Sequence, residues 1–164
     1  MSSSGDAIEA IEDPDAIGAV INDAALAYRG VIPADRWHEP YMPREELVSE
    51  MLAGVKFFSL RRGGRVAGVM GLQHVADVGL VRHAYTLSSQ QHSGVGTLLL
   101  DHLRRQTERP LLVGTWKAAT WAVRFYERRG FRLVSEEEKE RLLRRYWKIP
   151  DRQVAESVVL VLEN

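Results

Sequence analysis

A six-residue segment, Gln91-His92-Ser93-Gly94-Val95-Gly96, lies where one periodicity of the chain gives way to another. Before it, Leu80-Val81-Arg82-His83-Ala84-Tyr85-Thr86-Leu87 is rich in β-branched, aromatic and other apolar residues and reads as a strand. After it, Val95, Leu98, Leu99, His102, Leu103 and Gln106 recur at i, i+3, i+4 spacing and read as one face of a helix. The two glycines therefore sit on the turn that feeds a strand into a helix. Glycine lets the backbone take unusual dihedrals there and approach a ligand closely. The first N–H groups of the helix lack internal partners, and the helix dipole adds partial positive charge. Such a turn suits a phosphate or pyrophosphate. No Gly-x-x-x-x-Gly-Lys-Ser/Thr occurs, which argues against a triphosphate P-loop. No Gly-x-Gly-x-x-Gly opens a repeated βαβ unit, which argues against a dinucleotide fold.

A second motif follows at Ala119-Thr120-Trp121-Ala122-Val123-Arg124-Phe125-Tyr126-Glu127-Arg128-Arg129-Gly130-Phe131. Ala122, Phe125 and Tyr126 share one helical stripe, Arg128 and Arg129 occupy the last turn, and Gly130 stops the helix. With both motifs in view, the chain resembles the GNAT superfamily of acyl-CoA-dependent N-acetyltransferases. Gln91-x-x-Gly94-x-Gly96 matches that family's pyrophosphate loop, and Ala122-x-x-Phe125-Tyr126-Glu127-x-x-Gly130-Phe131 matches its Tyr-containing signature. The resemblance covers nearly the whole chain, because the remaining elements fall in the family's order.

Those elements read as follows. Residues 1–6 are expected to form a loose tail and Ala7–Ile11 a first strand. Asp13 as N-cap and Pro14 at the first helical position start a helix whose stripe, Ile17, Val20, Ile21, Ala24 and Ala25, runs to about Tyr28. Residues 29–43, with three prolines and two large aromatics, form a structured loop with a helical turn after Pro33. Pro43 at the first helical position begins a second helix to about Ala53, ended by Gly54. Lys56–Arg62 and residues 66–74 form a hairpin around Gly63-Gly64, and Asp77-Val78-Gly79 a further turn. Beyond the glycine loop, the helix ends near Thr107 and Leu111–Trp116 is a strand. A strand over 131–134 follows the Tyr126 helix. Ser135 caps a helix that runs through Lys139 to Tyr146, residues 149–152 are a loop, and Ser157–Leu162 is the final strand. The order predicts an α/β (α+β) domain: a mixed sheet with helices on its faces, spanning 1–164 as one unit. The resemblance implies the GNAT fold, with a mostly antiparallel sheet of six or seven strands splayed at the CoA site.

Bulk composition agrees with one soluble domain. Lys+Arg and Asp+Glu both number 22, so nothing suggests capture of nucleic acid or of an anionic membrane. Cysteine is absent, which removes disulfides and thiolate nucleophiles and fits a cytoplasmic location. The first residues lack the basic and apolar regions of a secretory signal, and no apolar run approaches a membrane span. The five histidines are scattered, so no metal site is expected.

The resemblance also assigns roles. Acetyl-CoA is the expected co-substrate, with no metal. The backbone N–H groups of His92, Ser93, Gly94, Val95, Gly96 and Thr97 hold the pyrophosphate, the Thr97 hydroxyl adds a donor, and Gln91 shapes the loop. The main chain of Tyr85, Thr86 and Leu87 orients the pantetheine arm and polarises the thioester. Tyr126 is the general acid for the departing thiolate. The chain departs from the family pattern at Ala119, where a CoA-contacting Asn is common, and at Leu80, where many members carry a Glu base. His83 and His38 are the residues best suited by type to serve as base. Alternation points His83 away from the site unless a bulge re-aims the strand. The loop 29–43 is where the family places its acceptor, so Tyr28, Trp37, His38, Glu39 and Tyr41 are the expected wall of a pocket for an amine with an apolar or aromatic body. Direct acetyl transfer to a primary amine, with a small-molecule acceptor, is the function implied. The alternatives are a non-catalytic CoA-binding module and a protein lysine or N-terminal acetyltransferase. The nearly continuous apolar run of the last strand is buried on both faces or pairs with another chain; family members commonly dimerise, so a homodimer is a further expectation.

Overall fold

The computed structural model describes residues 6–163. Seven strands form one sheet in the order β1-β2-β3-β4-β5-β7-β6. They are β1 (Ala7–Ile11), β2 (Lys56–Arg62), β3 (Arg65–Val75), β4 (Val78–Thr86), β5 (Leu111–Trp116), β6 (Arg132–Leu133) and β7 (Ser157–Leu162). Among the described residues six α-helices accompany them: α1 (Pro14–Ala24), α2 (Arg44–Leu52), α3 (Val95–Arg105), α4 (Thr120–Arg128), α5 (Glu136–Tyr146) and α6 (Asp151–Ala155). Only β4 and β5 run parallel; every other neighbouring pair is antiparallel. The sheet is thus mixed and mostly antiparallel, with the expected strand number.

Local chemistry starts and stops these elements. The Asp13 carboxylate accepts from the N–H groups of Asp15 and Ala16 at 2.9 and 3.4 Å, with Pro14 opening α1. The Ser135 hydroxyl accepts from Glu138 N–H at the start of α5. Gly130 adopts a φ of +93° just beyond α4, the conformation a helix-ending glycine supplies most readily. Three expectations shift. The α1 helix stops at Ala24, and a 3-10 turn over Ala25–Tyr28 carries the chain on. Pro43 caps α2 from outside rather than occupying its first turn. Of the residues read as the loop 149–152, Ile149 and Pro150 stay outside any helix while Asp151 and Arg152 begin α6, a single turn that buries only Val154 and is too short to show a helical period. Of the expected tail, residues 1–5 lie outside the described residues, and the Asp6 carboxylate accepts two 2.8 Å hydrogen bonds from Arg62.

Strand alternation sends neighbouring residues to opposite faces, and each face has its own cover. On one, α3 and α4 bury Leu99, Leu100, Leu103 and Tyr126 against Leu60, Met70, Val81 and Val113. On the other, α1 and α2 pack Ile17, Ile21 and Leu47 over Phe57 and Val69. Further along that second face, α5 and α6 pack Leu142, Leu143 and Val154 over Leu80, Leu112 and Val159. The apolar run of β7 is explained within the chain, because β7 lies between β5 and β6 and is buried.

The α3 helix packs closely over Gly68 on β3. A Cβ there would stand 2.5 Å from Val95 Cγ1 and 3.1 Å from the Tyr85 carbonyl oxygen. Gly68→Ala is therefore expected to destabilise the protein by about 1–3 kcal/mol through overpacking. For a domain of this size each kcal/mol corresponds to about 2–4 °C in Tm. Thermal unfolding of the variant checks this; an unchanged Tm would contradict the close packing of α3 on β3.

Candidate active site

The sheet opens between its two parallel strands. β4 and β5 pair only over Gly79–Val81 and Leu111–Val113. Beyond Val81, β4 stays with β3 while β5 stays with β7, so the two strands diverge into a V. At the opening, β4 carries a bulge. Val69 of β3 faces Tyr85 and Gly71 faces Arg82, so two steps along β3 match three along β4. The extra residue falls at His83, whose φ is +53°. This is the bulge that re-aims the strand. The side chains of Arg82 and His83 both turn to Glu50 on α2, at 2.9 and 2.5 Å from the same carboxylate oxygen. Arg82 also donates to the Gln73 side chain at 2.7 Å, and the His83 ring lies nearly parallel to Phe57. Burial acts to raise the Glu50 carboxyl. The hydrogen bond with His83 and the charge of Arg82 outweigh it and hold Glu50 below the usual carboxylate range.

A cleft of about 200 Å³ fills the V, and residues from both faces of the sheet line it. From the α3–α4 face come Ala122 and Tyr126. The Tyr126 side chain is buried against Phe125 and Phe131, and burial pushes its phenol well above the ordinary value, so it keeps its proton. From the opposite face come Tyr28, Tyr41 and Tyr85, with Trp116, Trp147 and Gln153. Tyr28 packs against Tyr41, Tyr85 and Trp121, with ring centroids 5.7–6.2 Å apart. Trp116 donates its indole N–H to the Tyr41 hydroxyl at 3.3 Å. Desolvation raises the phenols of Tyr28, Tyr41 and Tyr85 as well. No carboxylate lines the cleft among the described residues.

The five residues expected to wall an acceptor pocket divide. Tyr28 and Tyr41 line the cleft. Trp37, His38 and Glu39 stand behind Tyr41: Trp37 and His38 stack on its ring, and Glu39 pairs with Arg29. His38 also donates to the Pro40 carbonyl at 2.8 Å, if its Nδ1 carries the proton. Trp116, Trp147 and Gln153 escaped sequence reading because nothing local marks them; the pairing of β5 with β7, flanked by α5 and α6, brings them in. Glu50 lies 32 residues before Arg82 and carried no signal of its own.

The glycine turn follows the end of β4, to which Gln91 ties it. Gly94 has a φ of +85° and His92 of +63°, so the chain turns sharply into α3. No side chain caps α3, which leaves its first N–H groups directed to the turn. The Gln91 amide donates to the Thr86 carbonyl at 2.9 Å and ties the turn to the end of β4. Ser93 donates its hydroxyl to the Gln90 carbonyl, and Arg62 reaches the Ser93 carbonyl at 3.2 Å. Val95 sends its side chain into the core, so only its backbone is available to a ligand. Gly96 lies under Phe125, where a Cβ would approach the ring to 3.2 Å. Thr97 Oγ1 accepts from Arg129, whose guanidinium also covers the Phe125 ring. This leaves the Thr97 hydroxyl proton to be directed elsewhere. A row of unpaired N–H donors at a helix start fits a pyrophosphate.

A family model described as an acetyltransferase (GNAT) domain matches residues 20–145. The chain belongs to the GNAT acetyltransferase family. Its membership makes it an acyltransferase. Solved structures with the GNAT fold superpose over almost the full length. The PaiA N-acetyltransferase of Thermoplasma acidophilum, in complex with coenzyme A, is 14% identical with a TM-score of 0.72, over 97% of this chain and 99% of that one. The ribosomal-protein-S18-alanine N-acetyltransferase of Escherichia coli is 18% identical with a TM-score of 0.66, over 96% and 92%. A GNAT family acetyltransferase of Elizabethkingia anophelis with acetyl-CoA bound is 15% identical with a TM-score of 0.64, over 98% and 99%. At these identities the likeness is one of fold. No curated protein sequence matches the chain. Among the described residues of this GNAT chain, no helix is long and apolar enough to cross a membrane, and no group of three or more His, Asp or Glu is placed to hold a metal ion.

Proposed function

We propose that this protein transfers an acetyl group from acetyl-CoA directly to the primary amine of a small molecule. The observation that carries the reading is the splayed β4–β5 opening, with Tyr126 on one side, the bulged β4 on the other and the uncapped α3 turn beside it. Acetyl-CoA supplies a thioester activated for attack by an amine. The N–H groups from His92 to Thr97 bind its pyrophosphate, and the main chain of Tyr85, Thr86 and Leu87 orients the arm and polarises the carbonyl as charge develops on oxygen. His83, on the cleft wall, takes the proton from nitrogen as the C–N bond forms. Tyr126 donates to the sulfur as the C–S bond breaks. A phenol raised by burial is a weak acid, so its main effect is a hydrogen bond that strengthens as negative charge gathers on sulfur.

The acceptor half of the cleft supports an amine on an apolar or aromatic body. Tyr28, Tyr41, Trp116 and Trp147 line it, and Arg82, the one Lys or Arg lining the cleft among the described residues, is paired with Glu50. Polycations are poorly matched, because no carboxylate lines the cleft among the described residues. The direct-transfer reading is tested by initial-velocity kinetics with acetyl-CoA and amine varied together. Intersecting lines, the sign of a ternary complex, are expected; parallel lines would indicate an acetyl-enzyme intermediate and contradict it.

A further inference from the structure

Glu50 is not part of either family motif, yet it grips two consecutive residues at the point where β4 leaves its register with β3. Its Oε1 accepts from the Arg82 guanidinium at 2.9 Å and lies 2.5 Å from His83 Nε2. Arg82 also donates to the Gln73 side chain at 2.7 Å. The His83 ring is backed by Phe57 at 6.1 Å between centroids, which restricts its rotation. His83 itself is in the left-handed region, where a residue with a side chain persists only when its surroundings hold it. Burial acts to raise the Glu50 carboxyl, but its hydrogen bond with His83 and the neighbouring Arg82 guanidinium outweigh that and hold it low, so it is ionised in the folded state.

We propose that Glu50 is a positioning residue: it holds His83 in the bulge with Nε2–H donated to the carboxylate, so that Nδ1 is the imidazole atom free to accept a proton. A neutral imidazole has one donor and one acceptor nitrogen, and committing the first decides the second. In this role Glu50 acts through His83 rather than on the substrate. The inference rests on the reading of the cleft as the site of acetyl transfer.

Two measurements test it. The first is kinetic, on full-length Glu50→Ala, Glu50→Gln, His83→Gly and the Glu50→Ala/His83→Gly double variant, with acetyl-CoA and the fastest amine of a panel. Glycine tolerates the left-handed backbone, so His83→Gly removes the imidazole while keeping the bulge. Glu50→Ala is expected to lower kcat about 10- to 100-fold with KM for acetyl-CoA little changed. Glu50→Gln, which keeps an acceptor oxygen, is expected to recover part of that loss. In the His83→Gly background Glu50→Ala is expected to add little, because its effect runs through the imidazole. An equal loss in both backgrounds, or a wild-type kcat in Glu50→Ala, overturns the proposal. The second measurement reads the tautomer without turnover. In nitrogen-15 spectra the His83 ring, identified by its absence in His83→Gly, is expected as a single Nε2–H form in wild type and as a tautomer mixture in Glu50→Ala. Identical spectra overturn the proposal. A wild type that turns over no amine instead overturns the acetyl-transfer reading, and with it the purpose given to Glu50, whatever the spectra show.

Discussion

Tyr126→Phe is expected to lower kcat by about 100-fold or more while leaving the fold and the affinity for CoA nearly unchanged. The substitution removes one oxygen and nothing else. The ring keeps its edge contacts with Phe125 and Phe131, at 5.1 and 5.2 Å between centroids, so the packing of α4 on the sheet is preserved. The loss falls on the step in which negative charge leaves the carbonyl carbon with sulfur. In the proposed mechanism the Tyr126 hydroxyl is the donor at that step, from the α4 side of the cleft that it lines. Because burial raises this phenol, it stays protonated through the neutral and mildly alkaline range, and no loss of rate from its ionisation is expected near the ordinary value of 10. Steady-state kinetics with a calorimetric CoA titration separates the two effects. A wild-type kcat in Tyr126→Phe would remove Tyr126 as the donor.

The second large effect is expected at Gly94. With φ at +85°, a side chain there is strained although nothing stands within 4 Å of a Cβ. Gly94→Val therefore acts through the backbone alone. The left-handed conformation costs an ordinary residue about 1–2 kcal/mol, and a β-branched one is among the least tolerant. If the turn relaxes to relieve the strain, the N–H groups at the start of α3 no longer converge. Each 1.4 kcal/mol of lost binding is tenfold in Kd, so a weakening of about 10- to 100-fold in CoA affinity is expected. Gly54, with φ at +111° and equally open surroundings just beyond α2, is the control. Gly54→Val carries similar strain and is expected to reduce stability without changing CoA affinity. Equal CoA affinity in Gly94→Val and wild type would contradict the pyrophosphate role of the turn.

Features with local chemistry could be read from the chain. Asp13 before Pro14, Ser135 before three glutamates, and the glycines at 63, 64, 94 and 130 each mark a cap or turn by residue type, and the structure places them so. The strands Leu111–Trp116 and Ser157–Leu162 are largely apolar, and the sequence pattern places both with the bounds the structure shows. What stayed hidden depends on register and topology. The bulge at His83 is defined by the pairing of β4 with β3, and no single strand shows it. Glu50 becomes notable only once α2 is laid across that bulge. Trp147 and Gln153 reach the cleft because α5 and α6 flank β7, which pairs with β5. The resemblance, which places the acceptor on loop 29–43, together with residue type singled out Trp37, His38 and Glu39, yet the loop turns Tyr41 inward and leaves those three behind it.

The central claim is tested most directly by following thiol release from acetyl-CoA against a panel of amines: aryl-alkyl amines, polyamines, aminoglycosides, amino acids and short peptides, with mass spectrometry of the products. The account predicts amine-dependent release with an N-acetylated product, fastest for a monoamine on an apolar or aromatic body. Tight binding of CoA with no amine-dependent release from any class would contradict it and leave the protein as a CoA-binding module.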